Sequence, residues 1–467
     1  MVTLARVTLG LVLVGLALPT VRSEPLAAQE REQEQRLADL ERQVAQLQQQ
    51  LDSLLAGELD ADRLEELRRQ IDAISRQIET LQLGQDVVEA TEGRYGLGPA
   101  ASKVYRVKRG VSIGGYGEML YQNFSSTRQD GGASGKKDQI DFLRAVVYVG
   151  YKFNDNILFN SEIEFEHAST GNAGSVAVEF AYLDFSLTPW LGARGGLLLL
   201  PMGYLNELHE PPIYLGTERP ETELRIIPTT WRENGLGLFG EAEGFSYRAY
   251  LVNGFDAVGG GSSKASGFDA SGLRGGRQKG SKALIEDVAG VGRIDYLGLL
   301  GFNVGTSLYY GNSGQGNVDA NGQTIAASTF IWEGHAQYRA NGFWLRGLYA
   351  LSTVGEVPQL NAAKGLTGNE SIGERLTGWY VEGGYDVLHS VATRNQLIPY
   401  LRYEQINTQE KVPSGFSANP ATDQTITTVG VMWKPITNVA AKADYQIQEN
   451  QARTGIDQLN ISLGFLF

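Results

Sequence analysis

From about Val111 to its last residue, the chain alternates apolar and polar residues with a period of two. In the stretch 139–153, the odd positions from Leu143 to Phe153 are apolar, whereas Arg144 and Lys152 occupy even positions. The same alternation recurs in the stretches 245–252, 439–447 and 457–467. Because successive side chains of a strand point to opposite faces, this period predicts strands with one apolar and one polar face.

Alternation alone fits two folds, a soluble sandwich with an apolar core face and a membrane barrel with an apolar lipid face. The connections separate the two folds, because seven tight turns alternate with eight long polar loops. The tight turns are predicted at Asn154–Asp155, Thr188–Trp190, Glu243–Gly244, Leu297–Gly298, Asn341–Gly342, Ser390–Asn395 and Pro435–Thr437. The long loops are predicted near 125–138, 168–174, 201–233, 255–282, 311–324, 354–374, 408–423 and 449–455.

These connections define about 16 strands and predict an all-β fold class, an antiparallel transmembrane β-barrel over 111–467. The last strand, which ends on Phe467, should pair with the first strand near Val111 to Phe124, so that no edge stays open. Its apolar side should face lipid, and Gln458, Asn460 and Ser462 should face the lumen. Aromatic residues near predicted strand ends suit an interfacial girdle, namely Phe153, Trp190, Tyr296 and Trp433.

The N-terminus reads as an export sequence. Arg6 is followed by the apolar stretch Val7–Leu18 and by small residues that place a cleavage site near Ser23 or Ala28. Residues 1–28 therefore fit a signal peptide, and the mature chain is expected beyond the inner membrane, in the cell outer membrane.

Residues 29–83 are predicted to form an N-terminal α-helical coiled coil in the periplasm. Leucine, isoleucine and valine recur there at alternating spacings of three and four, and Ile71, Ile74 and Ile78 favour trimers or higher assemblies. The register slips between Leu54 and Leu64, which leaves one long helix and a hairpin as alternatives. Residues 84–110 are interpreted as a linker to the barrel.

Composition excludes several classes of function. The net charge of -13 argues against a nucleic-acid partner, and the absence of cysteine excludes disulfides and thiolate metal sites. The four histidines are dispersed without zinc-ligand spacing, and no activated serine accompanies them. We therefore predict no catalytic residues, no metal and no cofactor, so the protein is not expected to be an enzyme.

The stretch Gly196–Glu241 resembles the corresponding region of the phosphate-selective porin O and P family. The resemblance is carried by Pro201-Met202-Gly203, by Glu218-Arg219 in the loop, and by a returning strand from Gly235 to Gly240. It implies a trimeric porin whose third external loop, about 201–233, folds inward as a constriction loop. The terminal Phe467 is similar to the end signal that the outer-membrane barrel assembly machinery recognises.

In that family, lumenal arginines and lysines determine anion selectivity, and strand facing here predicts six pore-lining cations. These are Arg144, Arg248, Arg293, Arg346, Arg402 and Lys442. Charges predicted in the constriction loop are Glu207, Glu218, Arg219, Glu221, Arg225 and Arg232. Inward-facing carboxylates such as Glu162 and Glu164 oppose these cations, so anion and cation preference both stay open.

The sequence thus predicts an outer-membrane porin for passive diffusion of small hydrophilic solutes or ions, with a preference for anions as one of the open alternatives. The expected partners are outer-membrane lipid, two further copies in a homotrimer, the barrel assembly machinery, and peptidoglycan through the coiled coil. The alternative is an envelope tether, in which the coiled coil contacts the cell wall and the barrel is mainly an anchor.

Overall fold

The computed structural model describes residues 92–168, 171, 174–260 and 266–467, together with residue 90 and scattered helical residues between 35 and 74. The chain divides into one unit at Met1–Val87 and a second at Val88–Phe467. The predicted signal peptide and most of the predicted coiled coil lie outside the described residues, so both stay predictions. None of the described helices is long and apolar enough to cross a membrane.

Sixteen antiparallel strands close into one barrel, in which each strand pairs with its neighbours in sequence and β1 pairs with β16. The strands are β1 (Gly110–Phe124), β2 (Gln139–Lys152), β3 (Ile157–Glu166), β4 (Val176–Thr188), β5 (Leu191–Leu199), β6 (Arg232–Ala242), β7 (Phe245–Asn253), β8 (Val288–Tyr296), β9 (Phe302–Gly311), β10 (Thr329–Ala340), β11 (Phe343–Val354), β12 (Arg375–Tyr385), β13 (Gln396–Lys411), β14 (Asp423–Ile436), β15 (Val439–Asn450) and β16 (Gln458–Leu466). The predicted fold class is confirmed. So is the closure, because Tyr116 pairs with Leu466 and Phe124 pairs with Gln458.

Short and long connections alternate around the barrel, except that the connection after β12, residues 386–395, is longer than the one after β15, residues 451–457. We call the two rims the short-turn end and the long-loop end. At the short-turn end, the pair Asn341-Gly342 has φ values of 53° and 81°, the left-handed conformation that a two-residue hairpin requires. The long loops contain the short helices α1 (Glu221–Arg225) and α2 (Val357–Lys364).

The two faces of the barrel differ in polarity. In β16, the side chains of Leu459, Ile461 and Leu463 are exposed on the outside, whereas Asn460 and Ser462 are buried on the inside. The predicted girdle residues are all exposed, namely Phe153, Trp190, Tyr296 and Trp433. An apolar outer surface bordered by aromatic residues is typical of a barrel that lies in a lipid bilayer.

Candidate functional site: the filled barrel interior

The interior holds two chain segments besides the inner face of the wall. A barrel of this size is too wide for its own side chains to fill, so other parts of the chain decide how much space stays open. One is the third long loop, residues 200–231, which we call the inner loop. The other is residues 92–107, which precede β1 and lie within the unit Val88–Phe467. Together they bury much of the inner wall.

Both ends of the inner loop are fixed to each other by one side chain. The Asn206 Nδ2 donates to the carbonyl oxygens of Leu200 at 2.7 Å and Trp231 at 2.8 Å. Its Oδ1 accepts from the Trp231 backbone N–H at 2.6 Å. The loop therefore leaves the wall from a closed base, which turns the intervening residues into the lumen.

The returning half of the inner loop is held against β12 and β13. The carboxylate of Glu223 in α1 accepts from the Leu205 backbone N–H and from the Tyr380 hydroxyl, both at 2.6 Å. The Thr222 backbone N–H donates to Glu404 of β13 at 2.6 Å. Buried carboxylates thus satisfy the free amides of the loop, which a buried backbone requires.

The tip of the inner loop crosses to β14 and β15. The Thr217 N–H and hydroxyl donate to the Asp444 carboxylate at 2.7 and 2.9 Å. Lys442 donates to the Gly216 carbonyl oxygen at 2.7 Å, and Lys434 donates to that of Pro212 at 3.1 Å. Charged groups of the wall therefore bind the loop backbone instead of facing open water.

All six cations predicted to line the pore lie on the inner face, but five of them contact carboxylates. Arg144 lies 3.5 Å from Glu118 and 3.4 Å from Glu164. Glu382 lies 3.5 Å from Arg346 and 3.9 Å from Arg402. The other two arginines, Arg248 and Arg293, share Asp295. Lys442, the sixth, binds the loop carbonyl described above.

Asp295 is the centre of the densest charge cluster. Its carboxylate accepts from Arg293 at 2.7 and 2.9 Å, from Arg248 at 2.6 Å, and contacts His335 at 2.8 Å. The other ring nitrogen of His335 lies 2.8 Å from Glu333. All five side chains are buried. Because both arginines contact the same buried carboxylate, the cluster braces the wall and leaves little free charge for a passing solute.

The predicted loop charges divide into paired and unpaired groups. Glu207 contacts Arg248 at 3.2 Å, and Arg225 pairs with Glu221 within α1. Arg219 is half-buried and forms no ion pair with any described residue. The assignment of Arg232 to the loop is wrong, because the ladder between β5 and β6 already includes this residue, and it pairs with Glu179 at 2.6 Å.

Glu218 is surrounded by amides instead of cations. Its two carboxylate oxygens accept from Gln122 at 3.0 Å, from Gln446 at 3.1 Å and from Gln458 at 2.6 Å. Burial raises the pKa of Glu218 to about 7. Burial also raises the pKa of Glu210 to about 7 and lowers that of His209 to about 3. These inner-loop groups therefore hold their charge weakly, because the surrounding protein replaces water.

Comparisons with known proteins give one sequence relative and several similar solved structures. No family model matches the chain. The chain is 38% identical over 388 residues to an uncharacterised protein of Aquifex aeolicus strain VF5, which covers 81% of this chain and 85% of that protein. The chain belongs to the family of this Aquifex protein.

Among solved structures, the chain is similar to Salmonella typhi OmpF in complex with daunomycin, with 14% identity, 77% of this chain and 98% of that chain covered, and a TM-score of 0.49. The chain is also similar to the loop L8 deletion mutant of OmpT, an outer membrane protein of Vibrio cholerae. The identity is 14%, the match covers 77% of this chain and 100% of that chain, and the TM-score is 0.48. A third similar structure is the anion-selective porin from Comamonas acidovorans. The identity is 10%, the match covers 76% of this chain and 98% of that chain, and the TM-score is 0.46.

Three features of the barrel interior were not predicted from the sequence. They are the amide group around Glu218, the role of Asp295 as a shared partner, and the packing of residues 92–107 inside the barrel. The even positions of β15 and β16 do carry Gln446, Gln458 and Asn460, so strand facing could have indicated an amide-rich wall. No metal-binding group of three His, Asp or Glu side chains occurs in the part of the chain that the structure describes.

Proposed function

We propose that this protein is an outer-membrane porin through which small hydrophilic solutes or ions diffuse passively. The observation that carries the proposal is the closed 16-strand barrel with an apolar outer face and a charged inner face. Lipid suits the outer face, and a polar interior suits hydrated solutes. The inner charges are engaged with one another and with backbone groups, which suits a passive conduit.

We also propose a preference for anions. Paired charges contribute little net field, so the unpaired ones set selectivity. Arg219 is only half-buried and lacks an ion pair with any described residue. The opposing Glu218 and Glu210 carry raised pKa values, which reduces their negative charge near neutral pH. The resemblance of 196–241 to phosphate-selective porins supports this preference without naming the anion.

The decisive experiment is a planar-bilayer recording of the purified protein. Stepwise ohmic conductance supports the porin function, and the sign of the reversal potential in a potassium chloride gradient gives the ion preference. A protein that inserts but stays silent, even when residues 92–107 are removed, would overturn the proposal. That result would favour the tether, for which the densely filled interior is the supporting observation.

The assembly of the barrel belongs to the same proposal. A homotrimer is expected, and the exposed Phe467 at the end of β16 suits recognition by the barrel assembly machinery. Contact with peptidoglycan would fall to the predicted coiled coil at 29–83. Cross-linking of the protein in native membranes tests the trimer, and monomers alone would contradict it.

Glu218 should make the ion preference depend on pH. Its raised pKa means that the carboxyl group is protonated below about pH 7 and ionised above it. Lowering the pH from about 8 to about 5.5 should therefore increase the anion-to-cation permeability ratio. E218Q should remove part of that increase, because the amide stays neutral. The control E449Q alters an exposed residue of β15 and should respond as the wild type does.

A further inference from the structure

We propose that residues 92–107, here called the plug, form a removable stopper that closes the lumen at the short-turn end. The proposal rests on the porin function and adds a regulated opening to it. The predicted linker lies in the same region of the sequence, but a plain linker would leave the barrel through water. Residues 92–107 instead pack inside the wall.

The wall is shaped to receive the plug. A Cβ atom on Gly114 of β1 would lie 2.8 Å from the Ala100 carbonyl oxygen. One on Gly150 of β2 would lie 2.5 Å from the Val104 side chain. Both glycines occupy inner-face positions near the short-turn end, where any other side chain would collide with the plug. The absence of side chains at these two positions therefore creates the space that the plug fills.

The centre of the plug is held by the inner loop. The Glu210 carboxylate accepts from the backbone N–H groups of Ala100 and Ala101, each at 3.0 Å. On the opposite side, Asn160 of β3 donates to the Ala101 carbonyl oxygen at 2.9 Å. The plug backbone is thus bound from two directions by polar side chains that are themselves buried. A linker that only touched the wall would not form hydrogen bonds with both of these buried side chains.

The C-terminal end of the plug is held by a second polar group. The Tyr105 hydroxyl donates to Asp184 of β4 at 2.7 Å and accepts from Arg194 of β5 at 2.8 Å. Asp184 and Arg194 also pair with each other at 2.7 Å. The tyrosine therefore completes an ion pair that remains intact without it, as a detachable element requires.

Burial beneath the plug shows what it closes off. Three plug residues are at most 3% exposed, namely Ala100, Ala101 and Val104. The same holds for three inner-wall residues of β1, β2 and β3, namely Tyr116, Tyr148 and Glu162. Side chains that line an open aqueous passage would instead contact water. Closer to its N-terminal end, residues 93–97 border a cavity of about 180 Å³ next to Arg248. The plug is therefore tightly seated at 100–105 and loosely seated at 93–97.

The covalent connection indicates how the plug would leave. In sequence, the plug is preceded by residues 88–91 and the unit Met1–Val87. At its C-terminal side the plug leads into β1, which begins at the short-turn end. Withdrawal exchanges its hydrogen bonds for bonds to water and leaves every strand pair of the barrel intact. Opening therefore needs no rearrangement of the wall.

Two variants test the plug in planar bilayers. Deletion of residues 92–107 removes it, and E210A removes the carboxylate that binds Ala100 and Ala101. Both should raise single-channel conductance or open probability several-fold above that of the wild type. E449A, which alters an exposed carboxylate of β15, is the matched control and should leave both quantities unchanged.

Thiol labelling gives a readout that does not depend on conductance, because the native chain contains no cysteine. A101C should react slowly with a polar maleimide, and adding E210A should speed the reaction at least about tenfold. S126C, on the exposed long loop after β1, should react fast in both backgrounds.

Equal conductance in wild type, deletion and E210A, with labelling of A101C that E210A leaves unchanged, would overturn the plug and leave the porin function intact. Silence of every variant would overturn the porin function, and the labelling rates would then still decide whether the plug detaches. If the deletion variant fails to assemble, conductance and A101C labelling are instead compared between the wild type, Y105F and E210A. Unchanged labelling in both of these would overturn the plug.

Discussion

Replacing Asp295 by alanine is expected to lower the free energy of unfolding of the barrel by about 3–5 kcal/mol, the cost of leaving a buried charge without its partner. Arg293 has no other carboxylate partner among the described residues, and Arg248 would keep only Glu207 at 3.2 Å. His335 would also lose its contact at 2.8 Å. Urea unfolding in detergent micelles, followed by tryptophan fluorescence, measures the effect.

The matched control for this experiment is D130A. Asp130 pairs with Arg128 at 2.8 Å, but the pair lies in the long loop after β1 and is exposed to solvent. Such pairs contribute little to stability, so the unfolding midpoint should stay where it is in the wild type. D295N keeps the size of the side chain, so its unfolding midpoint should lie between those of D295A and D130A. A midpoint for D295A equal to that of D130A would show that the interior is hydrated and that the cluster does not brace the wall.

Replacing residues 203–227 of the inner loop by a short flexible connection is expected to raise single-channel conductance several-fold. The wall alone encloses a lumen wider than its side chains fill, and the inner loop occupies it from Tyr204 near β10 to Thr217 near β15. The truncation also removes Glu210, so it releases the plug as well. Conductance should therefore exceed that of E210A, and the ion preference set by Arg219 should weaken.

The control for the truncation is an equivalent shortening of the loop between β1 and β2, at 125–138. This loop is largely exposed, and Gln129 in it contacts Gly455 of the loop after β15, so its removal should leave conductance unchanged. If both shortenings had the same effect, the inner loop would not be the restriction. If the truncated barrel fails to assemble, the single variant N206A opens the base of the loop and should give a smaller increase in the same direction.

Strand content, strand number and barrel closure could be predicted from the sequence because they depend on local patterns. Each strand shows its two faces through alternation, as Leu459 to Phe465 do against Asn460 and Ser462. Each tight turn shows itself through residues that adopt left-handed conformations, as Asn341-Gly342 does. The inward direction of Arg144, Arg402 and Lys442 followed from the same period.

Only the tertiary structure decided which charges meet inside the barrel and which chain segments fill it. Glu210 binds Ala100 across 110 residues of sequence, and Lys442 binds Gly216 across 226. Nothing in the local pattern around either residue indicates its partner, because side-chain period specifies a face and not a neighbour. The sequence by itself determined a barrel with a polar interior. How that interior is occupied depends on long-range pairing of buried polar groups, each of which must find a partner once water is excluded.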